Sequence, residues 1–189
     1  MKPSERYSQI MLQHGFIADV AQSSAVLLLD NLQESLLQKH KNGLSWWRKL
    51  TQSTAPAVGL KGIYFWGGVG RGKTFIMDIF YQSLPIEEKK RVHFHDFMNQ
   101  IHRRLKQISV QKRPLRYLAE ELSKSVKVLC LDEFVITDIG DAMIMTGLLE
   151  SLFDQGVVLV TTSNAAPTDL YHDGLQRARF LPAIELIIK

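Results

Sequence analysis

Residues 67 to 74 read GGVGRGKT, a glycine-rich stretch that ends in a lysine and a threonine. This stretch fits the pattern G-x-x-x-x-G-K-S/T at all four fixed places. Glycines let a loop turn its backbone N–H groups inward and approach a polyphosphate closely. The lysine then meets the β- and γ-phosphates, and the threonine hydroxyl binds Mg²⁺. The pattern predicts a nucleotide-binding loop made of Gly67, Gly68, Val69, Gly70, Arg71, Gly72, Lys73 and Thr74.

Two adjacent carboxylates form the second chemical group. Residues 126–134 read VKVLCLDEF, in which four apolar residues precede Asp132 and Glu133. The apolar run is typical of a buried parallel strand, whose carboxyl end lies at the edge where ligands collect. We expect Asp132 to hold Mg²⁺ through its water shell and Glu133 to orient and deprotonate the attacking water. Acidic helix capping is the alternative, but the glycine-rich loop earlier in the chain favours catalysis.

Three polar residues further on are candidates for the same reaction. Asn164 follows the apolar run VVLVT at 157–161, and its amide could hold the γ-phosphate and the attacking water together. Arg177 and Arg179 lie within GLQRARFLP, where no phosphate partner is visible in this chain. We therefore predict that these arginines act in a neighbouring subunit. The predicted ligands are ATP and Mg²⁺, with Thr74 and Asp132 as the metal-binding residues.

The order of apolar segments predicts a three-layer α/β P-loop domain with a parallel sheet. The strands are predicted at 62–66, 91–97, 128–131 and 157–161. The helices are predicted at 75–84, 98–108, from Pro114 onward and at 139–154, with a further helix capped by Thr168 or Asp169. Asp138 and Asp141 are interpreted as caps of the helix at 139–154.

The first third of the chain predicts a helical adaptor. One helix spans 4–14 and is closed by Gly15, and a second begins at Asp19, which forms a capping box with Gln22. Residues 42–61 contain Gly43, Pro56 and Gly59 and predict a linker, with Trp46 and Trp47 on a short helix. The predicted domains are therefore 1–61 and 62–189. Residues 16–20 could contact the nucleotide base or simply form an interhelical turn.

Several other residues permit two interpretations. His93 and His95 would alternate onto one strand face and, with His102, could suggest a metal site, but hydrogen-bonded structural histidines are favoured. Phe97 and Met98 could grip a polypeptide in a ring pore or pack in the core. Cys130 and its apolar neighbours predict a buried reduced thiol. The three basic clusters, at 89–91, 103–106 and 112–116, favour solvated helix faces over nucleic acid.

Composition is ordinary for a globular protein, with 189 residues, 46% hydrophobic and 22% charged, and a formal charge of +4. No apolar run approaches the roughly 20 residues of a membrane-spanning helix, and the start of the chain lacks a signal-peptide core. We therefore expect a cytosolic protein without an integral membrane span.

Five blocks together resemble one protein family, the ZapE-type cell-division ATPases, whose mitochondrial relatives share the same core. The blocks are GLKGIYFWGGVGRGKT, RVHFHDFM, VLCLDEF with VITDIGDAMI, VVLVTTSN and LYHDGLQRARFLP. The resemblance implies an AAA-type fold, with four strands in the spatial order first, fourth, third, second. It also implies ATP hydrolysis, assembly as a homo-oligomer and association with the tubulin-like protein of the bacterial division ring at the septum. The main rival is a helicase-loader-like ATPase that binds single-stranded nucleic acid, and a small-molecule phosphotransferase is a weaker one.

The end of the chain departs from the family pattern. The family continues past Lys189 into a fifth core strand, a second sensor arginine and a helical lid. The resemblance therefore implies that this 189-residue form lacks the lid, binds nucleotide weakly and hydrolyses it poorly.

Overall fold

The computed structural model describes residues 1–15, 19–41, 62–108 and 110–189. The chain divides into two compact units, which are described separately. The first comprises Met1–Leu60 and Gly72–Glu87, and the second comprises Lys61–Arg71 and Glu88–Lys189. The domain boundary predicted between residues 61 and 62 stays a prediction.

Three helices make up the described part of the first unit. They are α1 (Pro3–His14), α2 (Val20–Lys41) and α3 (Lys73–Ser83), and each contacts the other two. Their apolar side chains recur at helical spacing, so each helix presents one stripe to its neighbours. The buried residues include Tyr7 of α1, Leu29 and Leu32 of α2, and Met77 and Phe80 of α3.

The ends of the first two helices follow the sequence signals. Gly15 ends α1 with φ 64°, a left-handed conformation that a residue without Cβ adopts readily. Asp19 precedes α2, and its Oδ1 accepts hydrogen bonds from the N–H groups of Ala21 at 2.7 Å and Gln22 at 3.2 Å. The predicted bounds of α1 and the predicted start of α2 are confirmed to within one residue.

A four-stranded parallel sheet lies at the centre of the second unit. Its strands are β1 (Gly62–Trp66), β2 (Lys89–His93), β3 (Val128–Asp132) and β4 (Val158–Ser163). The spatial order is β1-β4-β3-β2, and all three pairings are parallel. This order and the α/β class are confirmed. Strands β3 and β4 are buried along their whole length, as expected of central strands that read as continuous apolar runs.

Four helices complete the second unit. They are α4 (Phe94–Gln107), α5 (Pro114–Ser125), α6 (Ile139–Asp154) and α7 (Leu181–Ile188), with short 3₁₀ turns at Pro167–Asp169 and Arg177–Arg179. Asp138 caps α6, because its Oδ1 accepts from the N–H of Asp141 at 3.0 Å. The hydrophobic core joins these helices to the sheet and includes Phe94, Phe97, Met98, Leu118, Leu131, Phe134, Met145, Leu148 and Phe180.

The junction between β2 and α4 differs from the prediction. The strand was predicted to run to residue 97, but it ends at His93 and the helix begins at Phe94. Phe94, Phe97, Met98 and Ile101 recur at the 3, 4 and 7 spacing of a helix, and all four are buried. Burial of this stripe favours helix over strand. The pore interpretation of Phe97 and Met98 is therefore wrong, since both pack in the core with 1% and 2% exposure.

Two other predictions are wrong in their details. The helix expected near Thr168 is only a 3₁₀ turn at Pro167–Asp169, after which the chain turns until Arg177. The basic cluster Lys89, Lys90 and Arg91 lies in β2 and is half-buried, whereas a solvated helix face was favoured. In that strand the aliphatic parts of the lysine and arginine side chains can pack beside the sheet while their charged groups reach water or a polar partner.

Some predictions fall outside the described residues. These are residues 16–18 of the base contact or turn predicted at 16–20, the linker at 42–61 and the short helix with Trp46 and Trp47. Within the described ranges, none of the helices combines the length and the apolar character that crossing a bilayer requires.

Candidate nucleotide-binding site

The carboxyl edge of the sheet brings several predicted site residues together within the second unit. In the parallel register Trp66 pairs with Ser163, and His93 pairs with Asp132. The loop at 67–71 therefore leaves β1 at the same edge where Asp132 ends β3 and where Asn164 follows β4. Parallel strands all present their carboxyl ends to one side, which is why ligands collect there.

Asp132 is a buried carboxylate with a cationic partner. Its side chain is 3% exposed, and its Oδ2 accepts a hydrogen bond from Nε of Arg91 at 2.7 Å. The hydroxyl of Thr162 lies 3.4 Å from the other oxygen, Oδ1. A buried charge needs such partners, because an uncompensated carboxylate is strongly disfavoured away from water.

Glu133 lies in a different environment from its neighbour. Its side chain is exposed, and its backbone has φ 55°, a left-handed conformation uncommon for a residue with a Cβ. The N–H of Glu133 donates to Oγ1 of Thr162 at 3.1 Å, and the next N–H, of Phe134, donates to the carbonyl of Thr162 at 2.7 Å. These bonds hold the turn after β3 against β4. The carboxylate of Glu133 therefore lies at the sheet edge and is exposed to solvent.

Asn164 is exposed directly after β4. The chain on either side of it is held firmly, because the hydroxyl of Ser163 donates to the carbonyl of Phe134 at 2.7 Å and the hydroxyl of Tyr64 donates to the carbonyl of Ala165 at 2.8 Å. Burial raises the pKa of Tyr64 to about 12, so its hydroxyl remains a donor. Asn164 is thus presented from a fixed backbone.

The glycine-rich stretch runs from β1 to α3. In the second unit its residues 68–71 are exposed, and Gly70 has φ 81°. In the first unit Gly72 precedes α3 with φ 75°, and a Cβ there would lie 2.6 Å from Nε2 of Gln22, so only glycine fits without displacement. Lys73 and Thr74 are the first two residues of α3, where the positive end of the helix dipole favours an anion.

Comparison with known proteins identifies the family. The chain matches the AFG1-like ATPase family over residues 1–189. It belongs to that family.

Individual relatives agree with this assignment. Cell division protein ZapE of Escherichia coli strain K12 is 41% identical to this AFG1-like ATPase over 196 residues, covering 98% of this chain and 52% of that protein. The chain thus spans about half the length of the curated relative. AMPPCP-bound DnaA from Aquifex aeolicus has a TM-score of 0.56 at 17% identity, covering 89% of this chain and 46% of that chain. The DnaC helicase loader has a TM-score of 0.52 at 18% identity, covering 90% and 87%.

These comparisons confirm the resemblance that the sequence blocks indicated. The structural likenesses are below 25% identity, so they show that the AFG1-like ATPase shares a fold with these proteins and nothing more specific.

The two arginines of the AFG1-like ATPase lie on the 3₁₀ turn Arg177–Arg179. Arg177 is half-buried, and its guanidinium donates to the backbone carbonyl of Thr168 at 2.5 Å. Arg179 is exposed, and its carbonyl accepts from the hydroxyl of Thr146 at 3.4 Å. The described contacts of the two arginines are therefore with the turn at Pro167–Asp169 and with α6, whereas those of Asp132 and Glu133 are with β2 and β4.

The three histidines considered as metal ligands lie on β2 and α4. His93 ends β2 and His95 lies in the first turn of α4, so they do not share a strand face as predicted. His102 pairs through Nε2 with Oδ1 of Asp141 at 2.7 Å. Asp141 was interpreted only as a cap, and the structure adds this link from α6 to α4.

Arg91 and Thr162 are the residues at this edge to which sequence analysis assigned no role. Thr162 appeared only within the block VVLVTTSN, and Arg91 only as part of a basic cluster. Each lies on a strand flanking β3 close to Asp132, so its position at the site depends on the register of the sheet, which local sequence patterns do not specify.

The residues present suit a magnesium ion. Mg²⁺ prefers oxygen ligands and usually keeps several of its waters. Asp132 offers Oδ1, while Oδ2 is engaged by Arg91. A metal-bound water donating to Oδ1 fits this arrangement.

Proposed function

We propose that this AFG1-like ATPase hydrolyses ATP in a Mg²⁺-dependent reaction. The observation that carries the proposal is the common sheet edge. The first part of the glycine-rich loop leaves β1 there, β3 ends there at Asp132 and Glu133, and β4 ends there before Asn164. This arrangement supports an AAA-type reaction in which phosphates, metal and attacking water meet at one edge.

The loop at 67–74 is proposed to bind the polyphosphate. Its backbone N–H groups and the start of α3 provide hydrogen-bond donors and a positive dipole end. Lys73 binds the β- and γ-phosphates as a point charge, and Thr74 and Asp132 hold the metal, the latter through water. When bound, Mg²⁺ offsets the negative charge that develops on the transferred phosphoryl group.

Glu133 and Asn164 are proposed to activate and position the attacking water. Glu133 is exposed beside the buried Asp132, so the two carboxylates are suited to different tasks. Glu133 accepts the proton of the attacking water, and Asn164 uses its amide to hold that water near the γ-phosphate. The short, well-anchored turns that present both residues support this assignment, since catalytic groups must be fixed in place.

Arg177 and Arg179 are proposed to act on a neighbouring subunit of a homo-oligomer. A guanidinium reaching into an adjacent site can neutralise charge on the phosphoryl group during transfer. The position of both arginines on a turn bonded to Thr168 and α6 supports a role outside their own sheet edge.

The reaction is further proposed to drive remodelling of the division-ring polymer in the cytoplasm near the septum, with the tubulin-like protein as partner. Support comes from the 41% identity to a protein named Cell division protein ZapE.

Two variants test the ATPase proposal. Lys73→Ala should weaken ATP binding about tenfold or more, because a charge-assisted contact to phosphate is lost. Glu133→Gln should bind ATP normally and hydrolyse it about 10² to 10⁴-fold more slowly, because the base is lost while size and polarity remain. Matched controls are Lys112→Ala and Glu150→Gln, both at exposed positions. Unchanged nucleotide titration or phosphate release in the first two variants would contradict the proposal.

The substrate is tested separately. Turnover is measured with polymers of the tubulin-like protein and, in parallel, with single-stranded oligonucleotides at two salt concentrations. Stimulation by the polymer alone supports division-ring remodelling. Salt-dependent stimulation by the oligonucleotide alone would instead favour a nucleic-acid-directed ATPase.

A further inference from the structure

The contact between Arg91 and Asp132 has a feature that the proposed reaction does not explain. Arg91 pairs in register with Cys130, so Arg91, Cys130 and Asp132 lie on the same face of the sheet. Nε of Arg91 is 2.7 Å from Oδ2 of Asp132, and the two side chains are 23% and 3% exposed. The guanidinium therefore occupies one of the two carboxylate oxygens through which a divalent ion could bind Asp132 directly.

We propose that Arg91 is a resident counter-cation at Asp132, which prevents a divalent metal ion from binding there unless a polyphosphate accompanies it. This inference rests on the proposed role of Asp132 in holding the metal. Arg91 is then a positioning residue. It allows the metal to bind as the metal–nucleotide complex and disfavours binding of the free ion.

The physical reason is charge balance in a buried place. The ion pair compensates the carboxylate, which has little access to water. A free divalent ion close to Asp132 is repelled by the guanidinium, and this repulsion is strong because the surroundings are only weakly polarisable. A metal ion bound to nucleotide arrives with phosphate charges that offset the repulsion.

The second oxygen of Asp132 makes this selection possible. Oδ1 lies 3.4 Å from the hydroxyl of Thr162, a long contact that leaves the oxygen able to accept from a metal-bound water. Arg91 can thus remain on Oδ2 while the metal–nucleotide complex uses Oδ1. The carboxylate does not need to be released for the metal to be held.

The same strand offers a matched control. Lys90 is adjacent to Arg91, so its side chain points to the other face of the sheet. Its Nζ donates to Oε1 of Gln100 at 2.8 Å. Lys90→Gln removes one positive charge from β2 without touching Asp132, whereas Arg91→Gln removes the charge that contacts it and Arg91→Lys retains a charge there.

The test measures binding of Mn²⁺, used as a spectroscopic substitute for Mg²⁺, by the loss of its free-ion electron paramagnetic resonance signal. Without nucleotide, Arg91→Gln should bind Mn²⁺ about tenfold more tightly than the unchanged protein, because a repelling charge is gone. Lys90→Gln and Arg91→Lys should show no such gain. Adding Asp132→Asn to Arg91→Gln should abolish the gain, and thermal melting confirms that each variant is folded.

A second measurement does not depend on how well Arg91→Gln folds. Asp132→Asn alone should leave nucleotide-free Mn²⁺ binding within about twofold, because Arg91 already occupies that carboxylate, but should weaken Mn²⁺ binding in the presence of ATP. Equal or weaker nucleotide-free binding by Arg91→Gln, or a large loss in Asp132→Asn, would overturn the role of Arg91. If Asp132→Asn leaves Mn²⁺ binding with ATP unchanged, the proposed metal role of Asp132 itself is wrong.

Discussion

Thr162 of β4 links both acidic residues of the sheet edge. The N–H of Glu133 donates to Oγ1 of Thr162 at 3.1 Å, and that oxygen lies 3.4 Å from Oδ1 of Asp132. Because Glu133 has φ 55°, its turn depends on anchoring from outside the strand. One hydroxyl therefore helps to orient a carboxylate proposed to hold the metal and another proposed to activate water.

Thr162→Val should lower ATP turnover about tenfold to a hundredfold while leaving ATP affinity within about twofold, because small displacements of catalytic groups cost this much. Turnover is measured by phosphate release and affinity by fluorescent-nucleotide titration. The matched control is Thr161→Val, since Thr161 is also buried but donates to the carbonyl of Leu131 at 2.8 Å. Equal loss of turnover in both variants would reduce the role of Thr162 to general stability.

Phe97→Ala should destabilise the protein by about 3 to 5 kcal/mol, as expected when a buried phenylalanine is truncated. Phe97 is 1% exposed and belongs to the core that joins α4 to the sheet. Urea unfolding measures the change, with exposed Tyr117→Ala as the control. A Phe97→Ala protein of normal stability that had lost only its action on a polymer would restore the pore interpretation.

The free energy of unfolding should decrease as pH rises from about 9 to about 12, because of Cys130. Burial raises the pKa of this thiol from an ordinary value of 9.0 to about 12. The unfolded chain therefore loses the proton first, and ionisation in this window favours unfolding. Cys130→Ala should flatten the dependence, as measured by urea unfolding at several alkaline pH values.

Tyr64 should contribute in the upper part of the same window. Burial raises the pKa of its hydroxyl from 10.0 to about 12. Tyr64→Phe should therefore flatten the decrease above about pH 10 and not below it. An unchanged slope in both the Cys130 and the Tyr64 variants would contradict these two assignments.

Arg177→Ala or Arg179→Ala should lower turnover about 10³-fold without lowering ATP affinity, provided that the arginine acts on a neighbouring subunit. Mixing such a variant with Glu133→Gln tests this directly. Some interfaces then combine an intact arginine with an intact base, so activity should partly return. Assembly is confirmed by sedimentation, and an absence of recovery at every mixing ratio would argue against action between subunits.

The sequence by itself determined the features that depend on neighbours along the chain. The glycine-rich loop, the carboxylates after an apolar run and the capping by Asp19 are local patterns, and they could be found without a structure. The order of the strands also followed from the resemblance to a known family, and the sheet confirms it.

Only the tertiary structure decided which residues meet across strands. Arg91 contacts Asp132 from 41 residues away, and Glu133 contacts Thr162 from 29 residues away. Such pairs depend on sheet register, which local patterns do not specify. The end of β2 was likewise decided by packing, because Phe94, a residue of good strand propensity, is buried as the first residue of a helix whose apolar stripe continues through Phe97.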